Sequence, residues 1–133
     1  MTIRPLENKD IDKVISIWVA SFSSIYDQKK CLSNVSDPNS ITLVAENDNE
    51  IIGVASLYLI QKLTRKMGLI EDVAVNENYR GNGTGKLLVE SLTKLAFQNN
   101  CDKAVLNTSE KNVPFYEKMG FKRNELQLIL RND

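Results

Sequence analysis

Apolar and polar positions along this chain follow two rhythms. Near the start, Ile11, Val14, Ile15 and Trp18 recur at helical spacing, with Asn8 placed to cap that helix and Asp10 in its first turn. Thr2 to Pro5, just before, reads as a short strand. Residues 21 to 40 hold no clean period: Ser21 to Ser24 and Ser33 to Ser40 read as irregular, with a short helix between them. From Ile41 the period shortens to that of strands. Ile41 to Glu46 is one strand, Asn47-Asp48-Asn49 a hairpin turn, and Ile51 to Leu63 a longer strand. A basic turn, Lys62 to Met67, leads into a third strand, Leu69 to Val75.

The helical period returns over Thr84 to Asn99, where Leu88, Leu92, Leu95 and Ala96 share a face. Ala104 to Thr108 is the next strand. Asn112 caps a short helix with Pro114 in its first turn and Gly120 as its stop. Phe121 onward, ending in Leu126 to Leu130, reads as the last strand or strands. The order predicts an α/β chain of the α+β kind: a mixed sheet with helices packed on it, in a single domain over residues 1–133.

Composition narrows the chemistry. An apolar fraction of 42% in 133 residues suits one core. Seventeen basic and seventeen acidic residues cancel, so neither nucleic acid nor a membrane surface is expected as a partner. The chain has no histidine, which removes the commonest general base and the commonest zinc ligand. Acid–base work therefore falls to carboxylates, tyrosine, lysine, cysteine or water, and no metal is expected. Cys31 and Cys101 are too few for a disulfide framework and read as two reduced thiols. No apolar h-region follows Met1, and no apolar run approaches the roughly 18 residues of a membrane helix. A soluble, cytoplasmic protein is the expectation.

The sharpest local signal is Arg80-Gly81-Asn82-Gly83-Thr84-Gly85-Lys86, after a strand and opening a helix. Glycines let backbone N–H groups approach an anion, and a helix N-terminus adds favourable partial charge. The natural guest is a phosphate or pyrophosphate. A Walker A loop fails here, because Arg80 and Leu87 occupy its first glycine and its Ser/Thr positions. A dinucleotide fingerprint fails too: the third glycine comes one residue early, mid-chain.

Beside the loop in sequence, Glu71 and Asp72 stand as adjacent carboxylates in an otherwise apolar strand. Strand alternation puts Leu69, Glu71, Val73 and Val75 on one side and Ile70, Asp72 and Ala74 on the other. Asp is disfavoured in strands, and burying an unpaired charge is costly, so the pair calls for a reason. Salt-bridged edge carboxylates are the structural alternative to a proton-accepting role.

Arg80, Gly83 and Gly85 match the pyrophosphate loop of the GNAT superfamily, [Arg/Gln]-x-x-Gly-x-[Gly/Ala]. Gly68 to Phe121 goes further. Gly68-Leu69-Ile70-Glu71-Asp72-Val73-Ala74-Val75, the loop, and Glu110 to Phe121 around Asn112-Val113-Pro114-Phe115-Tyr116 closely resemble glucosamine-6-phosphate N-acetyltransferases. The first half resembles GNATs only generically.

The resemblance implies the acyl-CoA N-acyltransferase fold, a central, mostly antiparallel sheet flanked by helices. It implies acetyl-CoA as co-substrate, held by Val73, Ala74 and Val75, by Arg80, Gly81, Asn82, Gly83, Thr84, Gly85 and Lys86, and by Asn107, Asn112, Tyr116 and Lys118. It implies that a β-bulge splays this strand where acetyl group and amine meet, that Glu71 and Asp72 bind the acceptor amine and take its proton, that the Val73 N–H freed by the bulge steadies the thioester carbonyl, and that Tyr116 protonates the departing thiolate. Lys103 and Arg131 are assigned to a sugar phosphate, in a homodimer feeding UDP-N-acetylglucosamine synthesis. Ile129 stands where the family's phosphate-binding arginine aligns, with Arg131 two residues on.

Two alternatives stay open at this level: another amine as acceptor, or a non-catalytic domain that binds CoA. Tyr116 beside Phe115 and Phe121 also fits a purely core role. Trp18 reads as core, and Lys62, Arg65 and Lys66 as solvated surface.

Overall fold

The computed structural model describes residues 1–22 and 28–132, and the side chains of 28 and 29 are set aside. Five strands are present among the described residues: β1 (Thr2–Pro5), β2 (Ser40–Asn47), β3 (Glu50–Gln61), β4 (Lys66–Val75) and β5 (Lys103–Leu106). They lie side by side in chain order. Every pairing is antiparallel except β4 with β5, which is parallel. A parallel neighbour needs a crossover, and the helix α3 (Thr84–Gln98) supplies it.

The sheet is wrapped on both faces because its strands alternate between two cores. Leu43, Ala45, Ala55 and Leu57 pack with Leu88, Val89, Leu92 and Ala96 of α3. Val44, Val54 and Ala74 pack instead with Val14, Ile17 and Trp18 of α1 (Ile11–Phe22). Gly53 lets α3 come close: a Cβ there would stand 3.0 Å from the Thr84 methyl and 3.1 Å from Leu88. The hairpin between β2 and β3 turns on Asp48 and Asn49, both at positive φ (50° and 65°), the geometry that suits right-twisted strands.

Several expectations are corrected. The first helix begins with a 3-10 turn, Asn8–Asp10, whose cap is Glu7 rather than Asn8, and the Glu7 N–H donates to the Asp10 carboxylate at 2.9 Å. That carboxylate is buried and held by Arg4, at 2.8 and 3.0 Å. Ser21 is helical, and Ser33 lies in α2 (Gln28–Val35), so neither is irregular. Ser23 and Ser24 lie outside the described residues. The strand β4 begins at Lys66 rather than Leu69, because its first residues pair with β3.

The last helix, α4 (Val113–Glu117), follows a 3-10 turn, Glu110–Asn112, and the chain reverses at Gly120 (φ 101°). No strand forms among the described residues beyond it. Leu126, Leu128 and Leu130, at 91%, 91% and 98% exposure, alternate like strand residues but have no partner strand to hold them. A strand needs a neighbour to satisfy its ladder, and the pattern alone does not supply one.

Candidate active site

The site begins at an irregularity in β4. Val54 stands opposite Ala74, yet Ser56 stands opposite Glu71, so two steps of β3 face three of β4. The extra residue is taken up where Asp72 adopts φ 56°. A bulge of this kind re-aims side chains. The strict alternation read from the sequence is therefore interrupted between Glu71 and Ala74. Asp72 stands close enough that its charge, after burial itself, pushes the Glu71 carboxyl above the usual carboxylate range. Burial pushes Asp72 upward as well. Both carboxyls therefore hold a proton more readily than an ordinary carboxylate.

A tryptophan holds this bulge. The Trp18 indole N–H donates to the backbone carbonyl of Asp72 at 2.9 Å. The helical spacing of Trp18 marks it only as core, and it is indeed buried, but a buried indole N–H needs a polar partner. Trp18→Phe keeps the ring and removes the donor. We expect a loss of about 1–3 kcal/mol in denaturant unfolding, the cost of a carbonyl left unpaired.

Just before the bulge, β4 and β5 part. Their pairing runs from Met67 and Lys103 to Ile70 and Leu106, and β5 ends there. Glu71 to Val75 therefore continue with an open edge on that side, and Asn107 lies exposed just past the last pair. The glycine-rich loop borders the far end of this opening. Asn76 starts the turn by accepting from Asn78 N–H at 2.9 Å, and the Arg80 guanidinium donates to the Val75 carbonyl at 3.3 Å. Gly81 and Gly83 sit at φ 86° and 80° with nothing within 4 Å of a built Cβ. Their backbone is thus exposed ahead of the first turn of α3, where unpaired N–H groups favour an anion. Lys86 is exposed beside it and pairs with Glu90 at 3.7 Å.

The short helix α4 closes the third side. A Cβ on Gly85 would lie 3.6 Å from Val75 and 3.8 Å from the Phe115 ring, so loop, strand end and α4 meet at that point. Tyr116 follows, half-buried, edge-on to Phe115 at 5.0 Å and to Phe121 at 6.0 Å. Burial raises its phenol pKa. Asn112 stands at the N-cap position of α4 but, against expectation, its side chain makes no capping hydrogen bond; Lys118 is the C-cap, and both are exposed.

Val75, the loop and Phe115 of α4 thus meet at Gly85, while Glu71, Asp72 and Val73 lie along the same strand and Asn107 follows the last residue of its parallel partner. Two further expected residues lie on other segments. Lys103 pairs with Met67, four residues before Glu71 and so about 13 Å away along the strand. Arg131 lies exposed in the unpaired C-terminal segment. Of the basic turn, Arg65 lies 3.7 Å from Asp102, and Lys66 is already in β4.

A parallel pair that parts after four residues, a glycine-rich loop at the start of the helix that crosses between its strands, and two carboxyls raised above their ordinary range are the features of this region. The acetyltransferase (GNAT) family model matches residues 10–121, and the chain belongs to that family. It is 34% identical over 141 residues to glucosamine 6-phosphate N-acetyltransferase 1 of Dictyostelium discoideum, a match covering 98% of this chain and 90% of the relative. Over 83 residues it is 46% identical to glucosamine 6-phosphate N-acetyltransferase of Trypanosoma brucei brucei, covering 60% of this chain and only 56% of that relative's length. The crystal structure of glucosamine-6-phosphate N-acetyltransferase from Arabidopsis thaliana superposes with a TM-score of 0.88 at 29% identity, over 99% of this chain and 98% of that one.

Proposed function

We propose that this chain transfers the acetyl group of acetyl-CoA to the amine of glucosamine 6-phosphate, by direct attack with both substrates bound. The observation that carries the reading is the bulge at Asp72, which sets two partly buried carboxyls at the mouth of the opening between β4 and β5. The names of the Dictyostelium, Trypanosoma and Arabidopsis relatives supply the acceptor.

Acetyl-CoA supplies an activated acyl group and a thiolate leaving group. Arg80 to Lys86 hold its pyrophosphate, since Gly81 and Gly83 expose backbone without a side chain in the way. Val73, Ala74 and Val75 take the pantetheine chain along the open strand edge, with Asn107, Asn112 and Lys118 on the facing side. The N–H of Val73 donates to the thioester carbonyl as charge builds there. Glu71 and Asp72 bind the substrate ammonium and remove one proton, because only the neutral amine attacks; the second proton leaves nitrogen as the tetrahedral intermediate collapses and, through water, restores the proton that Tyr116 gives to sulfur. Tyr116 returns a proton to sulfur: an ordinary thiol pKa near 8.5 and a phenol near 10 make that transfer accessible.

The same reading makes the enzyme a cytoplasmic homodimer supplying UDP-N-acetylglucosamine synthesis. Leu126, Leu128 and Leu130 stand exposed in alternation, an apolar row suited to pairing with a second copy. In such a pair Lys103 and Arg131 would reach the sugar phosphate from the partner.

The test is thiol release from acetyl-CoA with glucosamine 6-phosphate, with unphosphorylated glucosamine and with a panel of other primary amines. We expect turnover that depends on both amine and phosphate. Equal turnover with unphosphorylated glucosamine, or turnover only with an unrelated amine, would remove this acceptor and leave the acetyltransferase.

A further inference from the structure

Tyr58 is a polar aromatic residue in the long apolar strand β3, and its place follows from register. Tyr58 stands opposite Leu69, two positions from the Ser56–Glu71 pair, so its side chain shares a face with Glu71. Such diagonal neighbours are about 7–8 Å apart at the backbone, within reach of an aromatic side chain. On its other side, Tyr58 stands opposite Ser40, whose hydroxyl lies 2.7 Å from the Asn34 amide oxygen of α2. Ser56 is fixed in turn by Thr42, hydroxyl to hydroxyl at 2.8 Å. The Tyr58 side chain is half-buried. Burial above all keeps its proton on, with Asp72, Glu71 and Cys31 adding to that as charges, while a side-chain hydrogen bond with Ser56 acts the other way and leaves the oxygen's second lone pair for a ligand.

A primary ammonium carries three N–H donors. The two carboxylates proposed above as its binders account for two of them. We propose that the Tyr58 hydroxyl oxygen accepts the third, making Tyr58 an acceptor-binding residue that selects primary amines. A phenol oxygen serves as acceptor while it keeps its own proton. The amine proton that is removed goes to a carboxylate, so Tyr58 changes no protonation state. This inference rests on the role proposed for Glu71 and Asp72, and it holds for any primary amine the enzyme acetylates.

The experiment compares glucosamine 6-phosphate with its N-methyl derivative, a secondary amine with one donor fewer, in the wild-type enzyme and in Tyr58→Phe. The variant is expected to raise KM for the primary amine about tenfold, the scale of one hydrogen bond to a charged group, and to leave KM for acetyl-CoA unchanged. The preference for the primary over the N-methyl amine should shrink by a similar factor. An unchanged acceptor KM, or equal shifts for both amines, overturns the assignment, because a packing defect does not count donors. Should Tyr58→Phe not fold, the wild type decides alone: equal KM for the two amines overturns the proposal. If glucosamine 6-phosphate is not a substrate, that failure counts against the sugar acceptor only. The same comparison is then read with the primary amine from the panel that is turned over, and its N-methyl form.

Discussion

Asp72→Asn is expected to lower kcat/KM for acetyl transfer by about 10²–10⁴, the range for loss of a positioned proton acceptor. The same substitution should stabilise the fold at neutral pH. Burial raises the Asp72 carboxyl above its ordinary 3.8, which means the folded protein disfavours the charge. A raised carboxyl pKa contributes stability only while the group is protonated. That contribution is full below 3.8 and is lost as pH rises through the raised value. The neutral amide avoids the loss, so its thermal midpoint should exceed that of the wild type at pH 7, and the two should converge near pH 3. A variant both slower and less stable at pH 7 would contradict the desolvated-carboxylate account. The acid limb of the wild-type kcat/KM profile should also lie above the ordinary carboxylate range, because activity disappears as pH falls through the raised values of the Glu71–Asp72 pair.

Tyr116→Phe should lower kcat by about 10² while acetyl-CoA binding, measured by calorimetry, changes little. The two readings of this residue separate cleanly here. Phenylalanine keeps the edge contacts to Phe115 and Phe121, so a residue that only packs would tolerate the change. Loss of a proton donor to sulfur would not. Because burial raises the phenol pKa above 10, activity in the wild type should not decline on that account until pH passes that value. An unchanged kcat in the variant would assign Tyr116 to the core and leave water as the proton source.

Local sequence rules work here where a residue's role depends on its near neighbours. The helical period of Leu88, Leu92 and Ala96 places α3 against the sheet, because a 3.6-residue repeat puts them on one stripe wherever the helix packs. Asp48 and Asn49 turn the hairpin because they tolerate positive φ. Arg80 to Lys86 are legible as an anion loop because glycine spacing and a helix start are both local facts.

Other features depend on partners distant in the chain. Glu71 and Asp72 are recognisable as unusual in an apolar strand, but their joint orientation depends on register with β3, where the bulge breaks the period of two. Trp18 is 54 positions from the carbonyl it holds, and its helical spacing predicts only that it is buried. Tyr58 comes onto the same face as Glu71 through pairing between β3 and β4, which no single segment encodes. The last leucines read as a strand, yet a strand is a relation between two segments, and the described chain gives Leu126 to Leu130 no second segment. Periodicity and glycine placement therefore determined the elements and the loop by sequence alone. Tertiary structure decided which side chains meet at the bulge, because sheet register is set by the sum of contacts on both faces.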